Sequence, residues 1–219
     1  MKNKIVFAFT VIFTALFILS FSVSLPICIR EFYYSQIEAL NIPEASGETK
    51  ENVIIAFDEL MNSLVGNDEF KTGVFSCSED AKAHFLDCKW LFALDFAVLL
   101  ISSVFLVLYF IFKYIFKKIP KTKSFSPTFY GALIALIPIV FFGVYLLIDL
   151  NGAYVFFHQI FFAGKDNWSF HPVYDSIINI LPMQFFINCG VLIGVFVILL
   201  SVVFIVLKIY SCFRNRISK

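Results

Sequence analysis

Four long apolar runs leave this chain few ways to fold. Residues 5–29, 91–116, 129–150 and 183–209 are each long enough to cross a hydrocarbon layer of about 30 Å as a helix. Inside such a layer every backbone N–H and C=O must be bonded within its own segment, so runs of this kind become helices. Composition adds weight: 60% of the 219 residues are hydrophobic and only 15% are charged, more apolar surface than a soluble core of this size accounts for. The expected fold is an all-α membrane protein, one membrane domain over residues 1–219, with four transmembrane helices and an extracytoplasmic cap of short amphipathic or interfacial helices.

The formal net charge of +1 conceals a segregation along the chain. Lys2 and Lys4 precede the first run, Lys113, Lys117, Lys118, Lys121 and Lys123 surround the connection 117–128, and Lys208, Arg214, Arg216 and Lys219 close the chain, with no Asp or Glu among them. The positive-inside rule assigns these regions and both termini to the cytoplasm. The connections 30–90 and 151–182 are then outside, together with all 16 acidic residues and all three histidines, or just beneath the outer surface. The basic connection reads as a topology signal attracted to anionic inner-leaflet lipid; nothing in the chain points to nucleic acid.

The first run exceeds the usual apolar length of a signal peptide and no small-x-small site follows it, so it reads as a retained span. In the connection 30–90, Val53, Phe57, Leu60, Met61 and Leu64 recur at helical spacing, which predicts an amphipathic helix. Its stripe is expected on the outer lipid interface or over the mouth of the bundle, or as a lid over helix ends. Ser76 and Glu79 have capping-box spacing for a helix that runs into the second span. On that helix His84, Asp87 and Asp95 share a face. Tyr154 to Phe162 is too short to span and is expected to dip into the outer interface. Gly164-Lys165-Asp166-Asn167 signals a turn, Trp168 is a natural interface anchor, and His171-Pro172 opens a short helix carrying Asp175 and ending near Pro182. Of the five cysteines, Cys28, Cys77 and Cys88 fall outside, Cys189 in a span and Cys212 inside; a disulfide among the first three is open, but no framework is indicated.

Three readings of the histidines stand side by side. A histidine near a membrane interface is often a packing residue. Two histidines meeting at a bundle mouth could divide base and acid between them, with neighbouring carboxylates fixing their tautomers. An outer zinc site of His84, His158 and an aspartate is the third, although no H-E-x-x-H spacing supports it. A glycine-rich phosphate loop, a CxxC pair and a G-x-S-x-G elbow are all absent from the sequence.

Phe75-Ser76 leading to Glu79, then His84-x-x-Asp87-x-Lys89 and Leu91-Phe92, resembles the first signature of the bacterial lipoprotein intramolecular transacylases, the Lit family. Phe157-His158, Phe161-Phe162, Asp166-Asn167-Trp168, Asp175 and Leu181-Pro182 resemble the second. The four-span layout with the larger outer connection first is similar too, so the resemblance covers nearly the whole chain. Cys88 and Met183 depart from the residue types expected there, and neither is a candidate proton carrier. The resemblance implies an enzyme of the bacterial plasma membrane that moves the sn-2 acyl chain of a diacylglyceryl lipoprotein to the α-amino group of its lipid-bearing cysteine, giving the lyso form. It implies His84 and His158 as the catalytic pair and no cofactor. Asp87 is then the partner of His84; Asp166 and Asp175 cap or order loops, orienting His158 being the alternative for them, and His171 is structural. The expected partners are the lipoprotein substrate and membrane lipid, with no obligate protein partner evident. A non-enzymatic accessory protein and a metal-dependent membrane hydrolase are the rival classes.

Overall fold

The computed structural model describes residues 2–117, 119 and 126–217, with side chains over 4–117, 119 and 126–210. Lys2, Lys118, Lys121, Lys123, Arg214, Arg216 and Lys219, which carry much of the charge argument, and Cys212 fall outside the described side chains. The described residues contain no strand. Among the described residues eight α-helices follow one another: α1 Lys2–Cys28, α2 Arg30–Tyr34, α3 Ile42–Ser46, α4 Lys50–Val65, α5 Glu79–Phe110, α6 Pro127–Ile148, α7 Leu150–Phe161 and α8 Met183–Ile217. A π-helical turn, Ile111–Ile115, ends α5, and a 3-10 helix, Ser176–Ile180, precedes α8. Among the described residues four helices are long and apolar enough to cross a membrane, over Lys4–Cys28, Glu79–Ile115, Pro127–Ile148 and Met183–Tyr210.

The chain divides into two compact units. One comprises Met1–Val23, Asp95–Val144 and Ile193–Lys219. Its core is made of small and branched residues, Ala15, Ile18, Ala132, Ala135 and Val197, all buried. A Cβ on Gly131 would meet the Thr14 Cβ at 2.5 Å, so α1 and α6 approach as closely as they do because position 131 has no side chain. Thr10 and Thr14 are satisfied within their own helix, each donating to a carbonyl one turn back at 2.7 Å, while the Ser201 hydroxyl of α8 donates across to the Ala132 carbonyl of α6 at 3.2 Å.

The other unit, Ser24–Leu94 with Tyr145–Leu192, holds the polar residues singled out above. Its core is aromatic. Tyr33 is fully buried, stacked on Phe57 at 3.7 Å and edge-on to Phe185 at 5.2 Å, with its hydroxyl donating to the Ile180 carbonyl at 2.8 Å. The stripe Val53, Phe57, Leu60, Met61 and Leu64 of α4 is therefore buried in this core rather than turned to lipid. What covers it is α2 and the start of α8, remote in sequence. Thr49 caps α4, its hydroxyl accepting from the Asn52 N–H at 3.2 Å, and Lys89 bonds the Ser63 and Gly66 carbonyls at the other end, both at 2.8 Å.

The cap of α5 also differs from the expectation. Ser78, not Ser76, accepts from the Ala81 N–H, at 3.2 Å, as a residue at the N-cap does. Ser76 is drawn instead to Ser176: each hydroxyl accepts the other's backbone N–H, at 2.8 and 3.2 Å. The third apolar run is broken before its expected end. At Asp149 the backbone is extended and its carboxylate accepts from the Gly152 N–H at 2.9 Å, starting α7. A Cβ on Gly152 would strike that carboxylate, so the Asp149–Gly152 pair is what turns one run into two helices. Cys28, Cys77, Cys88 and Cys189 form no disulfide.

Candidate functional site

His84 stands in the second turn of α5 and is only 7% exposed. Its ring lies 4.5 Å from Phe162 and 5.5 Å, edge-on, from Phe170, so it is walled by apolar rings rather than by carboxylates. Its Nε2 is 3.6 Å from the Cys88 sulfur, and its Nδ1 is buried with no hydrogen-bond partner.

His158 occupies the last turn of α7, and its ring centroid is 5.9 Å from that of His84, with the planes tilted by 31°. Its Nδ1 donates to the Tyr154 carbonyl at 2.8 Å, which commits the proton of the neutral ring to Nδ1 and leaves the Nε2 lone pair available. Burial pushes its pKa below the ordinary value, and the Tyr154 carbonyl offsets part of that fall. Trp168 stacks on this imidazole at 4.8 Å and 30° while its own N–H donates to the Lys165 carbonyl at 2.8 Å. The Trp168 ring is one wall of His158.

The turn that carries Trp168 closes on α5. Gly164, with φ +77°, supplies the left-handed step, and the Lys165 N–H donates to the Phe162 carbonyl at 3.0 Å. The Lys165 ammonium then pairs with one oxygen of Asp87, and the Asn167 amide nitrogen donates to the other at 3.2 Å. Asp87 is thus not hydrogen-bonded to His84, as its helical phase suggested, but is held by two residues of this turn. Asp166 is exposed and takes part through its carbonyl, which accepts from the Ser169 N–H at 3.4 Å.

Asp175 is 5% exposed and joins two segments: one oxygen accepts the Ser78 N–H at 2.8 Å, the other the His171 N–H at 3.0 Å. Burial alone would raise its pKa, but the Ser78 and His171 hydrogen bonds outweigh it and hold the carboxyl below the usual range. His171 is exposed; its Nδ1 accepts from the Val173 N–H at 3.3 Å and its ring lies against Tyr174 at 4.9 Å. The segment it opens is a turn followed by the 3-10 helix. Among the described residues no set of three or more His, Cys, Asp or Glu side chains is gathered as metal ligands.

The structure therefore brings His84, His158 and Trp168 together, ties Asp87 to their supporting turn, and leaves Asp166, Asp175 and His171 in loop geometry. Sequence reasoning gave no role to Tyr154, Phe162, Phe170, Lys165 or Asn167. The turn signal at 164–167 pointed toward the last two, and the second motif holds Phe162 and Asn167 without giving them a task.

The family described as lipoprotein intramolecular transacylase Lit matches residues 8–186. The in meso structure of the membrane-integral lipoprotein intramolecular transacylase Lit from Bacillus cereus superposes with a TM-score of 0.83 at 22% identity, over 99% of this chain and 97% of that one. The same protein with a histidine replaced by arginine gives a TM-score of 0.81 at 22% identity, over 100% and 95% of the two chains. Its form with that histidine replaced by alanine gives 0.81 at 22% identity, over 99% and 96%. At that identity the likeness speaks to the fold. No curated protein sequence matches the chain.

Proposed function

The chain belongs to the lipoprotein intramolecular transacylase Lit family, and from that premise we propose that it moves the sn-2 acyl chain of a diacylglyceryl-cysteine lipoprotein to the cysteine's own α-amino group. The observation that supports this reading best is the pair of imidazoles 5.9 Å apart, contributed by α5 and α7 and walled by aromatic rings. Ester and amine belong to one molecule, so holding them together replaces both an activated nucleophile and an acyl-enzyme. What remains is proton traffic. The ammonium must lose a proton before its nitrogen can attack the ester carbonyl, and the nitrogen must lose a second as the C–N bond forms and the C–O bond breaks. That second proton ends on the sn-2 oxygen, the first in solvent.

His158, with Nδ1 committed to the Tyr154 carbonyl and Nε2 open, takes the first proton. His84 carries the second from nitrogen to glyceryl oxygen. The imidazolium formed in the first step supplies positive charge beside the developing oxyanion. Aromatic walls keep water from competing as the nucleophile. The site is assigned to the outer leaflet of the bacterial plasma membrane, with both termini cytoplasmic, on the segregation of Lys and Arg.

Mass spectrometry of lipoprotein N-terminal peptides from cells expressing each variant tests this. His84→Ala and His158→Ala are expected to lose lyso-form product while the protein remains inserted. Full product from both variants would overturn the assignment.

A further inference from the structure

We propose that Asn167 is a positioning residue for His84, holding the ring in the form that carries its proton on Nδ1, with the Lys165–Asp87 ion pair fixing Asn167 in turn. The inference rests on the catalytic reading of His84 but is argued from other atoms. A carboxylate only accepts, so the Asn167 atom that meets Asp87 Oδ2 at 3.2 Å is the amide nitrogen. The second Asp87 oxygen is occupied by Lys165, which removes any freedom for the amide to turn over. Asn167 Oδ1 is thereby directed away from Asp87. It is buried with no hydrogen-bond partner, and so is His84 Nδ1; these two alone are in that condition among the described residues.

Asn167 sits beside His84: it holds Asp87, one turn along α5, and the adjoining Trp168 stacks on His158, whose ring centroid is 5.9 Å from that of His84. One orphan is an obligate acceptor and the other donates only when protonated. Leaving both unmade leaves two buried polar groups desolvated and uncompensated, whereas closing the bond between them satisfies both. Phe162 and Phe170 bound the ring without bonding it, so no other hydrogen bond holds Nδ1 away from Asn167. With Nδ1–H committed to Asn167, Nε2 presents its lone pair, the form a proton carrier needs. The thiol at 3.6 Å is then a weak S–H donor that substrate can displace. The groups around His84 that could compete for it are His158, on the far side of the shared space, Cys88 on its own helix, and Asp87 and Lys165, which are engaged with each other. Asp87 therefore acts on His84 at one remove, through the asparagine.

The test is ¹⁵N-histidine NMR of the purified protein in detergent, with the His84 signals assigned by their loss in His84→Gln. The unmodified protein is expected to show Nδ1 of His84 protonated. Asn167→Leu, close in shape but without the acceptor, is expected to release His84 into a mixture of both tautomers. With a defined diacylglyceryl lipopeptide it should also lower kcat several-fold, in proportion to the fraction of the competent tautomer, with KM unchanged. Lys165→Met, outside the aromatic walls, gives a milder version of both effects and serves if Asn167→Leu does not accumulate. A proton on Nε2 in the unmodified protein, or an unchanged tautomer in Asn167→Leu, overturns the proposal. The NMR result stands whether or not the protein turns over lipopeptide, so failure of the transacylase reading is distinguished from failure of this one.

Discussion

At the scale of single residues, the proposed reaction depends on keeping His158 neutral and oriented. Burial pushes its pKa below the 6.5 of a free imidazole, with the Tyr154 carbonyl opposing. The rate should therefore hold level through neutrality and fall only as pH drops below that free value. An acid limb in the pH profile of the purified protein that lies above pH 6.5 would contradict the assignment of base. Stability moves in the same direction. The unfolded chain takes up the proton that folded His158 resists, and folded Asp175 resists protonation that the unfolded chain accepts, so acid weakens the fold on both counts. Trp168→Leu removes the ring stacked on His158 and is expected to slow product formation about 2- to 10-fold, from an aromatic contact of about 0.5–1.5 kcal/mol. Trp168→Phe should recover most of it. Helical phase put Asp87 on the face of His84 correctly, yet no local rule could see that Lys165 and Asn167 would take both of its oxygens.

At the scale of elements, α4 and the α5 cap show what sequence can and cannot carry. The period of Val53, Phe57, Leu60 and Leu64 was enough to define a helix and its apolar face. Periodicity reports that a face is apolar but not what covers it, and Tyr33 and Phe185 lie too far along the chain to be anticipated. Phe57→Ala should therefore destabilise the purified protein by about 3–5 kcal/mol, read as a fall in Tm, where a lipid-facing position would tolerate the change. The cap was misread for a similar reason. Ser76 and Ser78 both suit an N-cap, and the choice is made by Ser176, 100 residues away, which claims Ser76. Asp175→Ala leaves the part-buried N–H groups of Ser78 and His171 without their acceptors, at about 1 kcal/mol each, and loosens the segments before α5 and α8 together.

At the scale of the whole molecule, hydropathy alone made four crossing helices legible, because the bilayer leaves a backbone so few options. The meeting of α5 with α7 was not legible in composition or period; it was approached through two motifs whose residues mean little apart. Sidedness rests on charge, and is checked by introducing single cysteines after replacing the native ones with serine. Positions 71 and 173 should react with an impermeant maleimide in intact cells and position 117 should not. The account as a whole, that two imidazoles from separate helices pass protons while a lipid rearranges within one molecule, is met most directly by a single reaction. Purified protein is mixed with a synthetic diacylglyceryl lipopeptide bearing a free α-amine, with no metal or cofactor added, and the product is sequenced by tandem mass spectrometry. Transfer within the molecule predicts a product of unchanged mass whose amine is acylated and whose glyceryl group has lost one chain, formed by the native protein and not by His84→Gln or His158→Gln. Release of free fatty acid in its place, or equal conversion by the two variants, would contradict it.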